Sequence, residues 1–539
     1  MAAGWLDLTS SNVADEQGFS SFGYCDGQCS YDNYVYVPPG ADANTVYLSG
    51  DNEYNENNFL TGRSNGRGVL VSTNAGVSFT DMTEDTTSNT HPGALHPDHH
   101  ALVTNPNNWR QFFDIGDGGI NRSNGVFVDD SGDCASTAAL KGYTGDNLTF
   151  CQLVLSRVPQ QLDAINEGLR TLHFYQVAYN PSAPDEIAGG TQDNGSWETL
   201  GDRDTWVNTN IADGGHNGFD VADPNYRMTA WQQGQIQSSF SKQNQLDQNW
   251  ISDTLFVFYG GEAAAFIAPA IVDPVRAGYL WTGREHVFRA SDYGVNPTFG
   301  RALVQEHCNV WTGDGDLDED GTYEPPTDIC DSWKPLGDPG PNGRLTALGL
   351  GDRAGGHVSS VERAKSHAGT LWAATSTGRI FVSKNADAAD AATVTFTRLD
   401  ALVTNDPPRF PSAIYVDPTD ANHAWLAYSG FNAKTPTTPG HVFDVRFNPT
   451  SNTATFTSLD GEGKKGFGDI PATSIVVSDD GTIYVGTDFG VVVNKNNDDW
   501  KPAAPGLPTL AVPDMVLVPE RGVLYAATHG QGIWSLKVK

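Results

Sequence analysis

The sequence predicts an all-β protein, a single large β-propeller of four-stranded blades that occupies residues 1–539. Three observations favour this fold class. A unit of short strands joined by turns recurs along the chain, and each strand alternates apolar and small residues over four to seven positions. Gly (58) and Pro (30) are plentiful, as in chains built from many short strands and turns.

The repeated unit is a short apolar strand, a turn resembling Asp-Pro or Asn-Pro, a second strand ending in Gly, and a third strand. The nine copies lie at 34–52, 100–123, 174–197, 219–239, 267–291, 358–383, 412–430, 474–494 and 515–536. One such unit cannot bury both of its faces, so neighbours must stack around an axis. The spacing of roughly 40–60 residues per copy is typical of propeller blades. It predicts eight or nine blades with ten as the upper bound, and two smaller propellers are the alternative. A strand near residues 4–8 is expected to close the last blade.

Two insertions interrupt the repeat, at 126–172 and 300–345. The first includes the segment VPQQLDAINEGL (158–169), which we expect to be helical. Insertions of a propeller fall in loops on one face, where binding sites often lie.

The six cysteines fall into neighbouring pairs, Cys25/Cys29, Cys134/Cys151 and Cys308/Cys330. Six cysteines allow 15 pairings, but each neighbouring pair brackets a loop rich in Gly, Asp and Ser, which suits local disulfides in an exported protein. Zinc is the rival interpretation, and the second CxxC knuckle that it would need is missing. The N-terminal residues lack the charged and apolar regions of a signal peptide. We expect an extracellular protein, secreted or at the cell surface.

The formal net charge is −33, from 65 acidic and 32 basic residues. This balance argues against nucleic-acid and anionic-membrane partners, because phosphate binding needs clustered Lys and Arg. No apolar run approaches the roughly 18–20 residues of a membrane span. The acidic surface is either a solubilising feature or a sign of a cationic ligand or bound metal ions.

Several repeats place His or Asp at the start of their first strand. The stretch LHPDHHAL (95–102) is the most conspicuous. When the copies are aligned on their turns, Asp98, His173 and His216 share one position, and His100 and His357 share another two residues later. Positions two apart lie on one side of a strand. These five residues are therefore candidate catalytic groups around the mouth of the channel.

Three interpretations of this set compete. The imidazoles hydrogen-bond loop carbonyls and are structural, or they act as general acid or base in a sugar-binding cleft. In the third, His96, Asp98 or His100 binds a metal with help from another blade. Trp197 and Trp231 lie in or beside blade turns, where a ring can stack on a sugar, although most blade Trp residues fill the core.

The second insertion contains the acidic run DGDLDEDG. Asp316, Asp318 and Asp320 are followed by Gly321, as in the first half of a calcium loop, and Glu324 occupies the ninth position. The Glu expected at the twelfth position is absent, since Thr327 stands there. We predict a structural calcium ion here, and a solvated acidic loop is the alternative.

The segment STNAGVSF (72–79) matches the Asp-box pattern through Ser72, Asn74, Gly76, Ser78 and Phe79. With GDGGINRS, GGTQDNGSW and ATHGQGIW, the chain resembles the BNR/Asp-box β-propeller superfamily, with its sialidase-like fold. In pattern it is closest to the sortilin/Vps10-like and YVTN/BNR-like repeat proteins of bacteria. The resemblance spans most of residues 30–538, apart from the two insertions.

The resemblance implies a propeller and leaves the activity open, because such relatives include sialidases, xyloglucanases, lyases and binding domains. The sialidase arginine motif does not precede Ser72, although Arg284, Arg289 and Arg353 could cluster; of these, Arg284 and Arg353 are predicted to contact substrate. Asp117, Asp193 and Asp488 would suit the paired aspartates of the xyloglucanase type.

Two functional hypotheses follow. In the first, the protein acts on a polysaccharide or glycan at the channel mouth, as a glycoside hydrolase or polysaccharide lyase. In the second, it is a non-catalytic extracellular binding or assembly module that recognises a protein, a peptide or a glycan.

Overall fold

The computed structural model describes residues 6–25, 27–56, 63–86, 94–136, 144–242, 250–253, 259–309, 329–495 and 499–538. The chain divides into two compact units, Met1–Leu169 and Arg170–Lys539. The described residues form nine antiparallel sheets of the propeller-blade type, eight with four strands and one with three. The predicted all-β propeller class is confirmed, and each predicted repeat corresponds to one sheet.

The unit Met1–Leu169 contains sheets 1 and 2. The strands of sheet 1 are Asn33–Tyr36, Val46–Gly50, Val69–Ser72 and Thr80–Asp81. Those of sheet 2 are His99–Asn105, Asn108–Gly116, Gly119–Ser123 and Leu162–Ala164. A separate two-stranded ribbon joins Phe127–Val128 to Val158–Pro159.

The unit Arg170–Lys539 contains sheets 3 to 9. Sheet 3 is formed by Ala178–Asn180, Ala183–Thr191, Gly195–Leu200 and Val207–Asn210, and sheet 4 by Asn217–Phe219, Arg227–Ala230, Ile236–Ser239 and Ile251–Ser252. Sheet 5 is formed by Ala270–Val272, Leu280–Gly283, Val287–Ala290 and Lys334–Pro335, and sheet 6 by Val358–Arg363, Leu371–Thr375, Ile380–Ser383 and Phe396–Arg398. Sheet 7 is formed by Pro411–Val416, His423–Tyr428, Val442–Asn448 and Thr453–Ser458, and sheet 8 by Ala472–Val477, Ile483–Thr487, Gly490–Asn494 and Lys501–Pro502. Sheet 9 is formed by Asp514–Val518, Val523–Ala527 and Ile533–Lys537.

Helices are few and short in the described part of the chain. The α-helices are Glu16–Phe19, Asp146–Val154 and Arg301–His307. The 3₁₀ turns are Tyr54–Glu56, Gln232–Gly234, Asp292–Gly294, Pro341–Gly343, Leu345–Ala347, Ala391–Thr393, Asp400–Leu402, Asn432–Lys434, Gly463–Lys465 and Pro519–Arg521. The predicted helix at 158–169 is wrong: this segment supplies strands of the ribbon and of sheet 2, because buried Leu162 pairs with Ser123.

Sheets 3 to 9 follow one another in a closed ring, and consecutive sheets contact each other through their first strands. Sheet 9 closes the ring against sheet 3, where Phe174 N donates to Thr528 O at 3.1 Å and Gly532 N donates to Leu172 O at 3.0 Å. The expected closing strand near residues 4–8 is wrong, since the described residues of that segment form no strand and sheet 9 has three strands.

The core of the ring lies between neighbouring sheets. Trp372 of sheet 6 is fully buried against sheet 7, and its indole N–H donates to Ala421 O at 3.0 Å. Small residues such as Ala374, Ala424 and Ala427 let the sheets approach each other. The repeat alternates large and small residues because large side chains fill the space between two neighbouring sheets and small ones let the sheets approach.

Both insertions leave their sheets between the third and fourth strands. The first separates Gly119–Ser123 from Leu162–Ala164, and the second separates Val287–Ala290 from Lys334–Pro335. In an antiparallel sheet that end is opposite to the start of the first strand. The insertions thus leave their sheets at the end opposite to the predicted His and Asp residues.

The three predicted disulfides, Cys25–Cys29, Cys134–Cys151 and Cys308–Cys330, are confirmed. Cys134–Cys151 ties the helix Asp146–Val154 to the start of the first insertion, and both cysteines are buried with Phe150 and Val154. Each disulfide therefore stabilises a loop outside the sheets.

The turn at residues 72–79 is held by hydrogen bonds from its own side chains. It joins the third and fourth strands of sheet 1, and Asn74 Oδ1 accepts from Ser78 N at 3.0 Å. Ser72 Oγ accepts from Gly76 N at 2.9 Å. Sheet 6 has a similar turn that sequence reading missed, in which Asn385 Oδ1 accepts from Thr395 N at 3.0 Å.

Among the described residues, no helix combines the length and the apolar character that a membrane span requires.

From the contacts of His423, a buried histidine in sheet 7, we expect the free energy of unfolding to depend on pH. His423 Nδ1 lies 2.9 Å from Asp417 Oδ2 and its Nε2 lies 2.8 Å from Asp444 Oδ2. Burial alone would lower the pKa of His423, but the two carboxylates leave it raised. The pKa of Asp417 is lowered, since its hydrogen bonds outweigh its burial.

Because the pKa of His423 is higher in the folded state than in the unfolded state, its protonation stabilises the fold fully at pH values below the unfolded pKa of 6.5. This stabilisation is lost as the pH rises through the pKa of His423 in the folded state. Because the pKa of Asp417 is lowered on folding, the ionised Asp417 stabilises the folded state at pH values above its unfolded pKa of 3.8. At about pH 5.5, His423→Gln should therefore lower the free energy of unfolding by about 1.5–3 kcal/mol, as for hydrogen bonds to charged groups. Urea unfolding of both proteins should show a smaller difference at about pH 8.5. An equal difference at both pH values would contradict the assignment.

Candidate functional site

The predicted His and Asp residues occupy one recurring backbone position. Apart from His100, which lies inside a strand, each precedes the first strand of its sheet, directly for Asp98, His216 and His357 and by five residues for His173. The carbonyl of each accepts from a backbone N–H at the end of the second strand or just after it. In the ring of sheets 3 to 9 these pairs are His173 with Gln192, His216 with Ala230, His357 with Ser376 and Phe410 with Ser429. His357 therefore shares the position of His173 and His216, and not the second position that sequence alignment indicates.

This position defines one end of the ring, which we call the rim. The rim consists of the first-strand starts and of the turns between second and third strands in sheets 3 to 9, since antiparallel pairing brings the two to the same end. Trp231, Gln232, Asp193, Asp488 and His529 lie in such turns.

The rim histidines are uncharged at neutral pH. Burial lowers the pKa of His216 to about 4. Burial and the neighbouring His529 lower the pKa of His173 to about 4, and burial also lowers that of His357. A neutral imidazole offers one hydrogen-bond donor and one acceptor. His173 packs against His529 and Tyr175, with ring centroids 3.4 Å and 5.0 Å apart.

Two aspartates, Asp193 and Asp213, lie near Tyr175 at the rim. Asp193 N donates to Asp213 Oδ1 at 3.0 Å, and Gln232 Nε2 donates to Asp213 Oδ2. Burial, and then the charges of Asp213 and Asp193, raise the pKa of Tyr175. Asp193 has a φ of 60°, a left-handed conformation that Asp and Asn tolerate better than most residues.

Three phenyl rings near the rim are exposed. Phe266 is 55% exposed, Phe410 40% and Phe489 57%. Phe266 O accepts from Gln233 N of the adjacent sheet 4 turn. Exposed rings beside polar groups are typical of binding surfaces.

The four residues predicted to bind substrate differ in their exposure and in their hydrogen bonds to the protein. Trp231 lies at the rim and is partly buried, whereas Trp197 packs with Phe174 in the core and donates to Asn194 O at 2.7 Å. Arg284 is buried and donates to Glu262 O at 2.8 Å and to Gln233 O. Arg353 donates to Asp406 Oδ2 at 2.8 Å and to Asp400 Oδ2 at 3.1 Å. Their contact with a substrate stays a prediction.

Asp98 and His100 lie in the unit Met1–Leu169, at the start of sheet 2. Asp98 O accepts from Asp117 N at 3.2 Å, so Asp98 occupies the same backbone position as the rim histidines in their sheets. His100 Nε2 lies 2.6 Å from Asp117 Oδ1, and its Nδ1 lies 3.0 Å from Asp32 Oδ1. Burial and the charges of Asp117 and Asp32 outweigh His96 and raise the pKa of Asp98.

Sequence reading missed several members of this group. Asp32 directly precedes the first strand of sheet 1, so it is the equivalent of Asp98 there. Its signal in the sequence is its place before the alternating strand NYVY, in the least regular of the nine repeats. Gln28 Nε2 donates to Asp98 Oδ1, and Gln28 Oε1 accepts from the Tyr31 hydroxyl. Partial desolvation, followed by the charges of four nearby carboxylates, raises the pKa of exposed Tyr31; these are Asp32, Asp98, Asp51 and Asp117.

The predicted calcium ligands Asp316, Asp318, Asp320 and Glu324 lie outside the described residues. Calcium binding by this insertion stays a prediction.

No protein-family model matches the chain, and no curated protein matches it. Among solved structures, the chain is similar to the β-propeller domain of Myceliophteria thermophila Cps50 (Swd1), with 10% identity and a TM-score of 0.42 over 68% of this chain and 97% of that one. It is similar to YCF48 from Cyanidioschyzon merolae, with 12% identity and a TM-score of 0.46 over 69% and 96%. It is also similar to the Niastella koreensis GH74 enzyme, with 12% identity and a TM-score of 0.47 over 94% of this chain and 59% of that one.

Proposed function

We propose that the protein is an extracellular propeller that binds and cleaves an uncharged glycan at the rim of sheets 3 to 9. The observation that supports this most is the combination of neutral imidazoles with exposed phenyl rings at one end of the ring. Sugars present apolar ring faces and uncharged hydroxyl groups. Phenyl rings pack against the faces, and neutral imidazoles both donate to and accept from the hydroxyl groups.

The charge of the chain supports an uncharged substrate. With a net charge of −33, the protein repels an anionic polysaccharide unless a cation intervenes. Arg284 and Arg353, the arginines predicted to bind substrate, already donate to protein oxygens. The three disulfides support an extracellular location.

The chemistry at the rim would come from the Asp193–Asp213 pair. Glycoside hydrolysis uses two carboxyl groups, one as acid and the other as base or nucleophile. The Asp213 carboxylate accepts hydrogen bonds from Asp193 N and Gln232 Nε2, so Asp213 is oriented before substrate binds. We assign the reaction to hydrolysis; a lyase would release unsaturated products instead.

The test is a screen of neutral and acidic polysaccharides for new reducing ends and for the ultraviolet absorbance of unsaturated products. On the glycan that binds, His357→Ala should weaken affinity about tenfold, the equivalent of a lost hydrogen bond. The matched control is His367→Ala, because His367 is exposed and lies at the opposite end of the same sheet. Equal affinities of the two variants would contradict a site at the rim, and the absence of any glycan binding would contradict the function.

A second candidate, a non-catalytic peptide-binding module, is favoured by one feature of sheets 8 and 9. A groove of about 250 Å³ between them is lined by Phe489, Pro502, Leu507 and Trp534. Beside it, the last strand of the three-stranded sheet 9, Ile533–Lys537, pairs on one side alone within the described chain. An unpaired strand edge can accept an extended peptide. Binding of extended peptides together with no glycan turnover would favour this candidate.

A further inference from the structure

A cavity of about 420 Å³ lies between sheets 7 and 8. Side chains of both sheets and of one turn line it, including Trp425, Asp444, Thr457, Gly481, Ile483 and Asn494. None of these residues stands at the start of a first strand or in a turn between second and third strands, so the cavity is separate from the rim. Cavities of about 300–1,000 Å³ are typical of small-molecule sites.

Three of the lining side chains form a row across sheet 7. Trp425 of the second strand pairs with Asp444 of the third strand, and Asp444 pairs with Thr457 of the fourth strand. Residues directly opposite each other in paired strands lie on one face of the sheet, with Cβ atoms about 4.5–5.5 Å apart. An indole ring, a carboxylate and a hydroxyl group are therefore neighbours on the face of sheet 7 that lines the cavity.

The equivalent row in sheet 6 explains why this space is open between sheets 7 and 8. Trp372 and Trp425 each lie three residues before the end of their second strand. Trp372 pairs with Val382, and both side chains are fully buried. In sheet 7 Asp444 takes the place of Val382, and Trp425 is partly exposed. A carboxylate does not pack against an apolar neighbouring sheet as valine does, so the close packing of sheets 6 and 7 is not repeated here.

The protein itself compensates the charge of Asp444. Asp444 Oδ2 lies 2.8 Å from His423 Nε2, and Asp444 Oδ1 lies 3.3 Å from Arg446 Nε. An ionised carboxylate has about four sites that accept hydrogen bonds, so Asp444 can also accept from a ligand. Because the carboxylate already has counterions, the cavity favours an uncharged ligand over a cation.

We propose that this cavity binds a neutral hexose or pentose unit, either free or as part of a glycan, through Trp425, Asp444 and Thr457. The apolar face of the sugar packs against the indole ring, and its hydroxyl groups donate to Asp444 and exchange hydrogen bonds with Thr457. Ile483 supplies an apolar wall on the side of sheet 8, and Asn494 adds an amide group.

This site binds sugar without cleaving it, and it does not depend on the function proposed for the rim. Glycoside hydrolysis uses two carboxyl groups. Among the described residues that line the cavity, Asp444 is the one with a carboxyl group. The cavity therefore goes beyond the proposed reaction as a second place at which the protein holds a glycan.

The experiment is calorimetric titration, at pH 7, of the full chain with glucose, galactose, mannose, xylose and N-acetylglucosamine in separate runs. Wild type is compared with His357→Ala, which weakens the rim, and with Thr457→Tyr, which fills the cavity. Thr457 is an exposed strand residue and tyrosine favours strands, so the fold should be retained. For the sugar that binds, Thr457→Tyr should weaken the affinity more than about tenfold.

Thr455→Tyr is the matched control, because Thr455 is exposed on the same face of the same strand and pairs with Arg446 outside the cavity lining. Should Thr457→Tyr not fold, Thr457→Val replaces it, and its loss of one hydrogen bond should weaken the affinity about fivefold. Circular dichroism checks the fold of each variant.

Equal affinities of the Thr457 and Thr455 variants would overturn the proposal, as would a wild-type protein that binds none of these sugars. Titration with tetramethylammonium chloride tests a cationic ligand, and binding of this ion without any sugar would overturn the assignment to a neutral ligand. Sugar binding that is lost in His357→Ala and kept in Thr457→Tyr belongs to the rim and would also overturn it. The reverse pattern supports the cavity, so the two proposals fail separately.

Discussion

Asp273→Asn should lower the free energy of unfolding by about 3–5 kcal/mol, the typical cost of removing one partner of a buried ion pair. Asp273 and Arg363 are both fully buried, and Arg363 Nε donates to Asp273 Oδ2 at 3.0 Å. The same carboxylate accepts from the Trp281 indole at 3.0 Å and from Val275 N and Arg276 N. It thus connects sheet 5 to sheet 6, and the substitution leaves a buried guanidinium without its counterion.

Chemical denaturation of the two proteins measures this difference, with Asp204→Asn as the control. Asp204 is an exposed loop residue of the same unit, so its substitution should stay within about 0.5 kcal/mol of wild type. A loss for Asp273→Asn as small as that of the control would show that the ion pair contributes little to the stability of the ring.

The largest expected effect on activity comes from Asp193→Asn, which should reduce glycan turnover by about 10²–10⁴-fold, the usual contribution of a general acid or base. Asparagine keeps the size of the side chain and tolerates the φ of 60° at this position, so the turn should be retained. It removes the carboxylate that the proposed pair needs. KM should change little, since the imidazoles and phenyl rings that bind the glycan are untouched.

Initial rates and KM on the glycan identified by the screen measure this effect, again beside Asp204→Asn. Unchanged near-ultraviolet circular dichroism would confirm that the turn and its surroundings stay folded. Turnover close to wild type in Asp193→Asn would remove Asp193 from the reaction, although glycan binding at the rim could still hold.

One backbone position carries different side chains in different sheets. In these sheets one residue precedes the first strand and bonds through its carbonyl to the end of the second strand. In sheets 1 and 2 that residue is Asp32 or Asp98, and the cluster is acidic. In sheets 3, 4 and 6 it is His173, His216 or His357, and the imidazoles are neutral. The identity of one residue per repeat thus changes the charge at that end of each sheet.

The repeat was readable from the sequence because strand alternation and turn residues are local signals. The units at 100–123 and 358–383 coincide with strands of sheets 2 and 6, since alternating apolar residues must face a neighbouring sheet. The disulfides were readable for the same reason, because each joins neighbouring cysteines across a short loop. The helix predicted at 158–169, inside the first insertion, was wrong because pairing with the distant strand Gly119–Ser123 decided the conformation of this segment.

The sequence by itself determined the strand pattern, the nine repeats and the recurrence of His and Asp near the first strands, and it favoured disulfides between neighbouring cysteines. Tertiary structure alone decided that His100 contacts both Asp32 and Asp117, that His357 shares the position of His173, and that sheet 9 closes on sheet 3 without a fourth strand. It also decided that Arg284 and Arg353 bond to the protein's own oxygens. The physical reason is range: strand and turn propensities act between neighbours in sequence, whereas burial, charge pairing and ring closure depend on residues far apart in the chain that only the folded sheets bring into contact.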